Sequence, residues 1–360
     1  MGRWQVIENV RLSDIISAKE VVAEDVFGKQ TNLRLVRAGT VLTNNIIGKL
    51  LLHGVNYVRI GDEQTRIQLD DSALIAPVTD TKEFRQFVTN YDGMLTVIRQ
   101  EVTSAIFEGE VKESLILNIV SKLSDKSLTS NVLNFIRFIK QGDDAIYTHS
   151  LNVALLCNVV GTWLGFDAQE KQILTVAGML HDIGKTRVPP EILYKEGRLT
   201  DKGFDEIKKH PIHGYRILQH SDVPNAVKIA ALMHHEKIDG SGYPLQKNIN
   251  HIDKITAVVS ICDIYEAMTA DRIYRARESP FTVLEQFHQG RFGFLHAGYS
   301  KTFMEQIANS FIGHTVTLSN GDEGRIVFLN PQNLSKPLIQ CGDRFVDLST
   351  TKNISITTML

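Results

Sequence analysis

The residues best equipped for chemistry lie in the middle of the 360-residue chain, where histidines and carboxylates interrupt apolar runs. His181 and Asp182 end the run 173–180 just before Gly184, and His234 and His235 end the run 226–233. His149 opens an amphipathic stretch that carries Leu151, Ala154, Leu155 and Val159. Asp263 is flanked by residues 257–262 and Ile264, an almost wholly apolar neighbourhood. A carboxylate placed there must be neutralised, paired with a base or bound to a metal ion. A lone histidine is most often a packed or surface residue, and a buried Lys or Arg partner is the plain alternative for Asp263. Counted with His210, five imidazoles and two carboxylates at helix ends or on buried helix faces exceed what packing alone requires. Nitrogen and oxygen ligands of this kind suit Fe, Mn, Zn or Ni better than Mg or Ca.

The elements that must position these side chains read as helices. Across residues 147–311 the pattern is helical, punctuated by Gly161, Gly165, Gly184, Pro189-Pro190, Gly197, Gly214 and the Gly240 to Pro244 loop. Residues 81–141 have apolar positions at three- and four-residue steps (Leu95, Ile98, Val102, Ile106), which also predicts helix. Residues 1–62 read as a small mixed α/β module: short β-prone runs, then a helix over 44–53 capped by Thr43 and stopped by Gly54, then a strand over 55–60. The tail changes period, with apolar–polar alternation on both sides of Ser319-Asn-Gly321, a hairpin signal. The chain therefore divides into a module at 1–62, a linker with connecting helices at 63–129, a catalytic domain at 130–311 and a β-rich appendage at 312–360. The fold class is mainly α.

A net charge of −2 gives no electrostatic reason to bind duplex nucleic acid. No apolar run reaches the length of a membrane span, and the N-terminus lacks the layout of a signal peptide. Cys157, Cys262 and Cys341 form no Cys-x-x-Cys pair, so reduced core thiols and a cytoplasmic location are expected.

The motifs His181-Asp-Ile-Gly-Lys185, upstream His149, His210-Pro-Ile-His-Gly214 and His234-His-Glu-Lys-Ile-Asp-Gly-Ser-Gly-Tyr-Pro244 resemble the HD-GYP family closely. Asp263-Ile-Tyr-Glu-Ala-Met-Thr-Ala-Asp-Arg272-Ile-Tyr-Arg275 has the family's form too. The likeness runs over residues 130–311 and implies an all-helical HD-GYP domain, a bacterial cyclic di-GMP phosphodiesterase yielding pGpG or GMP, and a metal centre. Some members of the family prefer cyclic GMP–AMP. Carried over, His149, His181, Asp182 and Asp263 would hold one ion and His210, His234 and His235 a second, with Asp182 bridging. Two ions about 4 Å apart suit in-line displacement at phosphorus.

The resemblance makes Asp182 and Lys185 catalytic, with Lys185 facing the phosphate or leaving oxygen. Lys185, Gly242, Tyr243, Pro244, Arg272 and Arg275 would bind substrate. Two divalent ions, Fe or Mn before Ni, Zn or Mg, are the implied cofactors. Three-ion members carry a Glu where this chain has Ala145, so two ions are expected. The segment Ile249-Asn-His-Ile-Asp-Lys254 also departs from the family's pattern. A weakly catalytic, dinucleotide-binding adaptor is the rival reading. The long helices could support a homodimer, and residues 1–62 a protein partner.

Overall fold

The computed structural model describes residues 8–12, 15, 20–28, 34–61, 79, 81–108, 111, 132–139, 145–195, 197–246, 252–270, 277–292 and 295–359. They fall into two compact units, neither of them one continuous stretch: residues 77–278 with 290–303, and residues 1–76 with 279–289 and 304–360. The second unit thus gathers both ends of the chain, where the sequence pattern divides the chain in order.

The helical unit begins with the strand module's successor, the 27-residue helix α2 (Lys82–Glu108), numbered after α1 (Asn44–Leu52) of the other unit. Its apolar stripe buries Phe84, Phe87, Tyr91, Met94 and Ile98 at three- and four-residue steps. Four helices form the centre: α3 (Ala145–Trp163), α4 (Ala168–Leu180), α7 (Asn225–Met233) and α8 (Lys254–Thr269), with α5 (Asp201–Ile207) and α6 (His210–Leu218) between the two pairs. Helix α3 packs on α4, α8 and α2, and α7 packs on α4, α6 and α8. Both α3 and α8 are apolar on nearly every side, which marks them as the buried layer. Side-chain caps fix the starts of α4 and α8. Asp167 caps α4 in a reciprocal box with Glu170, and Asp253 accepts from Ile255 and Thr256 at the head of α8.

The other unit is built on antiparallel strands. A sheet ordered β1-β5-β2 joins β1 (Glu8–Arg11), β2 (Val21–Val22) and β5 (Tyr57–Gly61); β3 (Val26–Phe27) pairs with β4 (Arg34–Val36). Helix α1 follows Thr43 and ends before Gly54, whose φ of 75° needs the freedom of glycine. Helix α9 (Pro280–His288) belongs here, and α10 (Ala297–Ser310) contributes its last turns. A five-stranded sheet, β10-β6-β7-β8-β9, completes it with β6 (Thr315–Leu318), β7 (Glu323–Phe328), β8 (Leu338–Cys341), β9 (Arg344–Asp347) and β10 (Ile356–Met359). The hairpin expected at Ser319-Asn-Gly321 joins β6 to β7. A long-range ion pair, Lys49 to Asp347 at 2.5 Å, and a hydrogen bond from Arg34 to the Asn309 carbonyl at 2.6 Å tie the two ends of the chain together.

Candidate metal centre

Helix ends deliver most of the chemistry-bearing side chains to one point in the helical unit. His181 and His234 terminate α4 and α7, His210 begins α6, and His149 and Asp263 project from the buried faces of α3 and α8. Three of the imidazoles are oriented by their own backbone. Nδ1 of His181 donates to Gly178 O at 2.8 Å, His210 to Ile207 O at 2.8 Å, and His234 to Ala230 O at 3.1 Å. A ring that donates from Nδ1 keeps the Nε2 lone pair free, the form that ligates a cation.

Those Nε2 atoms converge on Asp182, which is 1% exposed. Asp182 Oδ1 is 3.1 Å from His210 Nε2 and 3.7 Å from His234 Nε2, while Oδ2 is 3.4 Å from both His149 Nε2 and His181 Nε2. Asp263 completes the cluster, Oδ1 at 3.0 Å from His149 Nε2 and Oδ2 at 3.9 Å from His235 Nδ1. Yet Nε2 of His149, Nε2 of His181 and Oδ1 of Asp182 are buried with no hydrogen-bond partner among the described residues. Orphaned buried donors and acceptors of this kind are costly unless something else satisfies them. Asp182 with His210, His234 and His235 could hold one cation, and Asp182 with His149 and His181 another. The residues present therefore fit bound metal.

Electrostatics divides the cluster. Burial opposes the Asp182 carboxylate, but Lys185, His181 and His149 hold it well below the usual range. Asp263 is likewise held well below its ordinary value, burial being outweighed by His149, His181 and His235. Burial, with His181 and His210 nearby, pushes His234 down to about 4 in spite of Asp182. Burial and His234 push His235 well down too. For His149, burial is overcome by Glu266, Asp182 and Asp263, which raise it well above the ordinary imidazole value.

Two close backbone approaches explain glycines of the motifs. A Cβ on Gly184 would lie 2.0 Å from His210 O, so only glycine lets the turn after Asp182 close on the start of α6. A Cβ on Gly242 would meet His235 O at 2.4 Å and Glu236 Cα at 2.5 Å, which seats the loop directly against the paired histidines. Glu236, 2% exposed, secures the same loop by accepting from Leu245 N and Gln246 N at 2.5 and 3.0 Å. The Tyr243 ring stacks on His235, with centroids 4.6 Å apart, and borders a cavity of about 150 Å³ that His234, Lys237 and Phe292 also line. Pro244 follows it, partly buried. Lys185 Nζ lies 2.5 Å from Asp182 Oδ2, and its side chain is 22% exposed, at the rim of the cluster. Arg272 and Arg275 lie outside the described residues, as do 249–251 of the departing segment. Ala145, where a third-ion Glu would stand, is the first residue of α3.

A layer that the sequence reading left without a role stands behind His149. Glu266 Oε2 accepts from His149 Nδ1, and Glu266 Oε1 accepts from Asn152 Nδ2 at 2.9 Å. Asn152 Oδ1 in turn accepts from Tyr91 Oη on α2, again at 2.9 Å. The available signal was helical spacing: Glu266 follows Asp263, and Asn152 follows His149, by three positions on the same helix face.

Residues 134–290 match the model of the HD domain family. The chain is 30% identical over 210 residues to "Cyclic di-GMP phosphodiesterase PA4108" of Pseudomonas aeruginosa, covering 58% of this chain and 50% of that protein. It is 32% identical over 158 residues to "3'3'-cGAMP-specific phosphodiesterase 1" of Vibrio cholerae, covering 44% and 37%. The chain thus spans half or less of the length of these two relatives. Among solved structures, Bd1817, an HDG"Y"P protein from Bdellovibrio bacteriovorus, shares the fold, with a TM-score of 0.50 at 16% identity over 82% of this chain and 97% of that one. Among the described residues, no helix is long and apolar enough to cross a membrane.

Proposed function

We propose that this chain is a metal-dependent phosphodiesterase acting on cyclic di-GMP, a reading supported by the match of residues 134–290 to the HD domain family. The single observation that carries the reading is Asp182, a buried carboxylate whose two oxygens face two separate sets of imidazoles. His149, His181, Asp182 and Asp263 would hold one ion and His210, His234 and His235 the other, with Asp182 shared. Bound there, two divalent ions supply Lewis-acid polarisation and charge neutralisation for in-line displacement at phosphorus. Fe or Mn before Ni, Zn or Mg follows the family pattern.

The chain's own residues supply the rest. Lys185, at the rim, would leave Asp182 for a non-bridging phosphate oxygen or the leaving oxygen, adding positive charge where negative charge develops. Gly242 and Glu236 hold the loop that keeps Tyr243 against His235, and the adjoining cavity gives a base an apolar wall. Arg272 and Arg275 are assigned to the phosphate of the substrate's other half, following the family pattern. The product is pGpG or, after a second cleavage, GMP. The three buried free cysteines suit a cytoplasmic protein, and a homodimer through α2 and a protein partner for residues 1–62 belong to the same reading.

Cyclic GMP–AMP is the second reading of the substrate, favoured by the likeness to the Vibrio cholerae enzyme specific for 3'3'-cGAMP. One assay separates these. Protein purified under low oxygen and loaded with Mn or Fe is given each cyclic dinucleotide, and the products are resolved chromatographically. Turnover of cyclic di-GMP in preference to cyclic GMP–AMP is expected. Tight binding with no turnover by any loaded form would make the chain an adaptor.

A further inference from the structure

We propose that Glu266 is the positioning residue for His149 and that Tyr91, on helix α2, is the outer anchor of the buried chain that holds it. The inference rests on the two-ion reading above. His181, His210 and His234 each take orientation from a carbonyl three or four residues back in their own backbone. His149 does not. Its Nδ1 donates to a carboxylate from another helix, α8, so the ring's placement depends on how helices pack.

Glu266 is itself held. Its second oxygen accepts from Asn152 Nδ2 at 2.9 Å, and Asn152 Oδ1 accepts from Tyr91 Oη at 2.9 Å. The carbonyl of Thr148, one residue before His149, is a second acceptor for Tyr91 Oη at 3.3 Å. Every member of this chain is buried: Tyr91 is 1% exposed, Asn152 3%, Glu266 2% and His149 4%. A carboxylate on Nδ1 fixes the tautomer, raises the basicity of Nε2 and aims it, here between Asp182 and Asp263 at 3.4 and 3.0 Å. Three helices, α2, α3 and α8, thereby converge on one ligand. Among the described residues, no comparable layer from a neighbouring helix orients His181, His210 or His234 through Nδ1.

The experiment titrates manganese(II) alone into the full chain by calorimetry, with melting followed by circular dichroism. Glu266→Gln should weaken one of the two manganese sites about 10–100-fold and leave the other unchanged. Tyr91→Phe should weaken the same site by a smaller factor. In a His149→Ala background, Glu266→Gln should add nothing to the loss, because a positioning residue acts only through the ring it positions. A merely structural residue would not show that silence. If Glu266→Gln does not fold, Glu266→Asp, which keeps the charge and withdraws it by one methylene, takes its place with the same expectation. Two unaltered manganese sites in the variant, equal weakening of both, or additivity with His149→Ala would each overturn the proposal. A wild-type chain that takes up no manganese overturns the two-ion reading itself, and this inference with it. Normal wild-type uptake with an unaltered variant overturns this inference alone.

Discussion

The two units use the same residue types to opposite ends. In the strand unit two carboxylates each meet one cation: Asp25 takes Arg34 at 2.8 Å and Asp347 takes Lys49 at 2.5 Å. In the helical unit Asp182 and Asp263 face several imidazoles at once, and two ring nitrogens and one carboxylate oxygen have no hydrogen-bond partner among the described residues. A matched pair ends its own electrostatic requirement. A surplus of lone pairs around a shared carboxylate creates one that only an added cation meets. Burial alone does not tell structural charge from functional charge; the balance of donors to acceptors does.

The contrast breaks most completely at Asp182. Asp182→Ala should remove both metal ions while the fold persists, with turnover falling well beyond the 10–100-fold typical of losing an outer partner. Elemental analysis of purified protein, read beside circular dichroism, checks this. Retention of both ions at full rate would mean the carboxylate is not shared.

Gly242→Ala comes next. The new methyl meets backbone atoms of His235 and Glu236 within 2.6 Å, so the loop must move. A stability loss of about 1–3 kcal/mol is expected, along with weaker binding at the His210–His234–His235 side. Chemical denaturation and metal titration measure the two effects separately.

A smaller effect is expected in the strand unit. Lys49→Ala should lower stability by about 1 kcal/mol and leave metal content and turnover as they were, since the pair is partly exposed and only local. The same pair has a pH signature. Burial opposes the Asp347 carboxylate, but Lys49 and Ser349 hold its pKa below the ordinary value. A depressed folded-state pKa contributes stability above the unfolded carboxylate's pKa, and that contribution is lost as pH falls through the folded one. Melting of the wild type should therefore fall more steeply below about pH 4 than melting of Asp347→Asn. Parallel curves would show that the pair carries no linkage.

Tyr243→Phe should change least. The ring keeps its stack on His235, so metal content should match the wild type, whereas Tyr243→Ala should loosen the ring beside it. Loss of metal in the Phe variant would assign the hydroxyl a role the geometry does not give it.

Much of this was legible in the chain. Apolar runs that end in His181-Asp182 and His234-His235 announce helix ends, and Asp263 in an apolar helix announces an unmet charge, so their meeting in space follows local pattern. The Ser319-Asn-Gly321 turn and the mainly helical class were equally local. The rest was not, for reasons of distance. Lys49 pairs with Asp347 and Arg34 with Asn309 across nearly the whole sequence, and no periodicity records that. Glu266 was in view but without a role, because its meaning depends on Asn152 and Tyr91 from two other helices. Gly242 in the loop suggests close backbone approach, but only the structure names what it approaches, His235 O and Glu236 Cα.

The Nδ1 contacts of His181, His210 and His234 to nearby carbonyls have one further consequence. Rings tethered to their own helices need not reorganise when an ion arrives, so the entropy of ordering them is spent during folding. Exchange of one divalent ion for another should then leave those three rings where they are. Ion choice would follow relative abundance in the cell rather than any reshaping of the pocket.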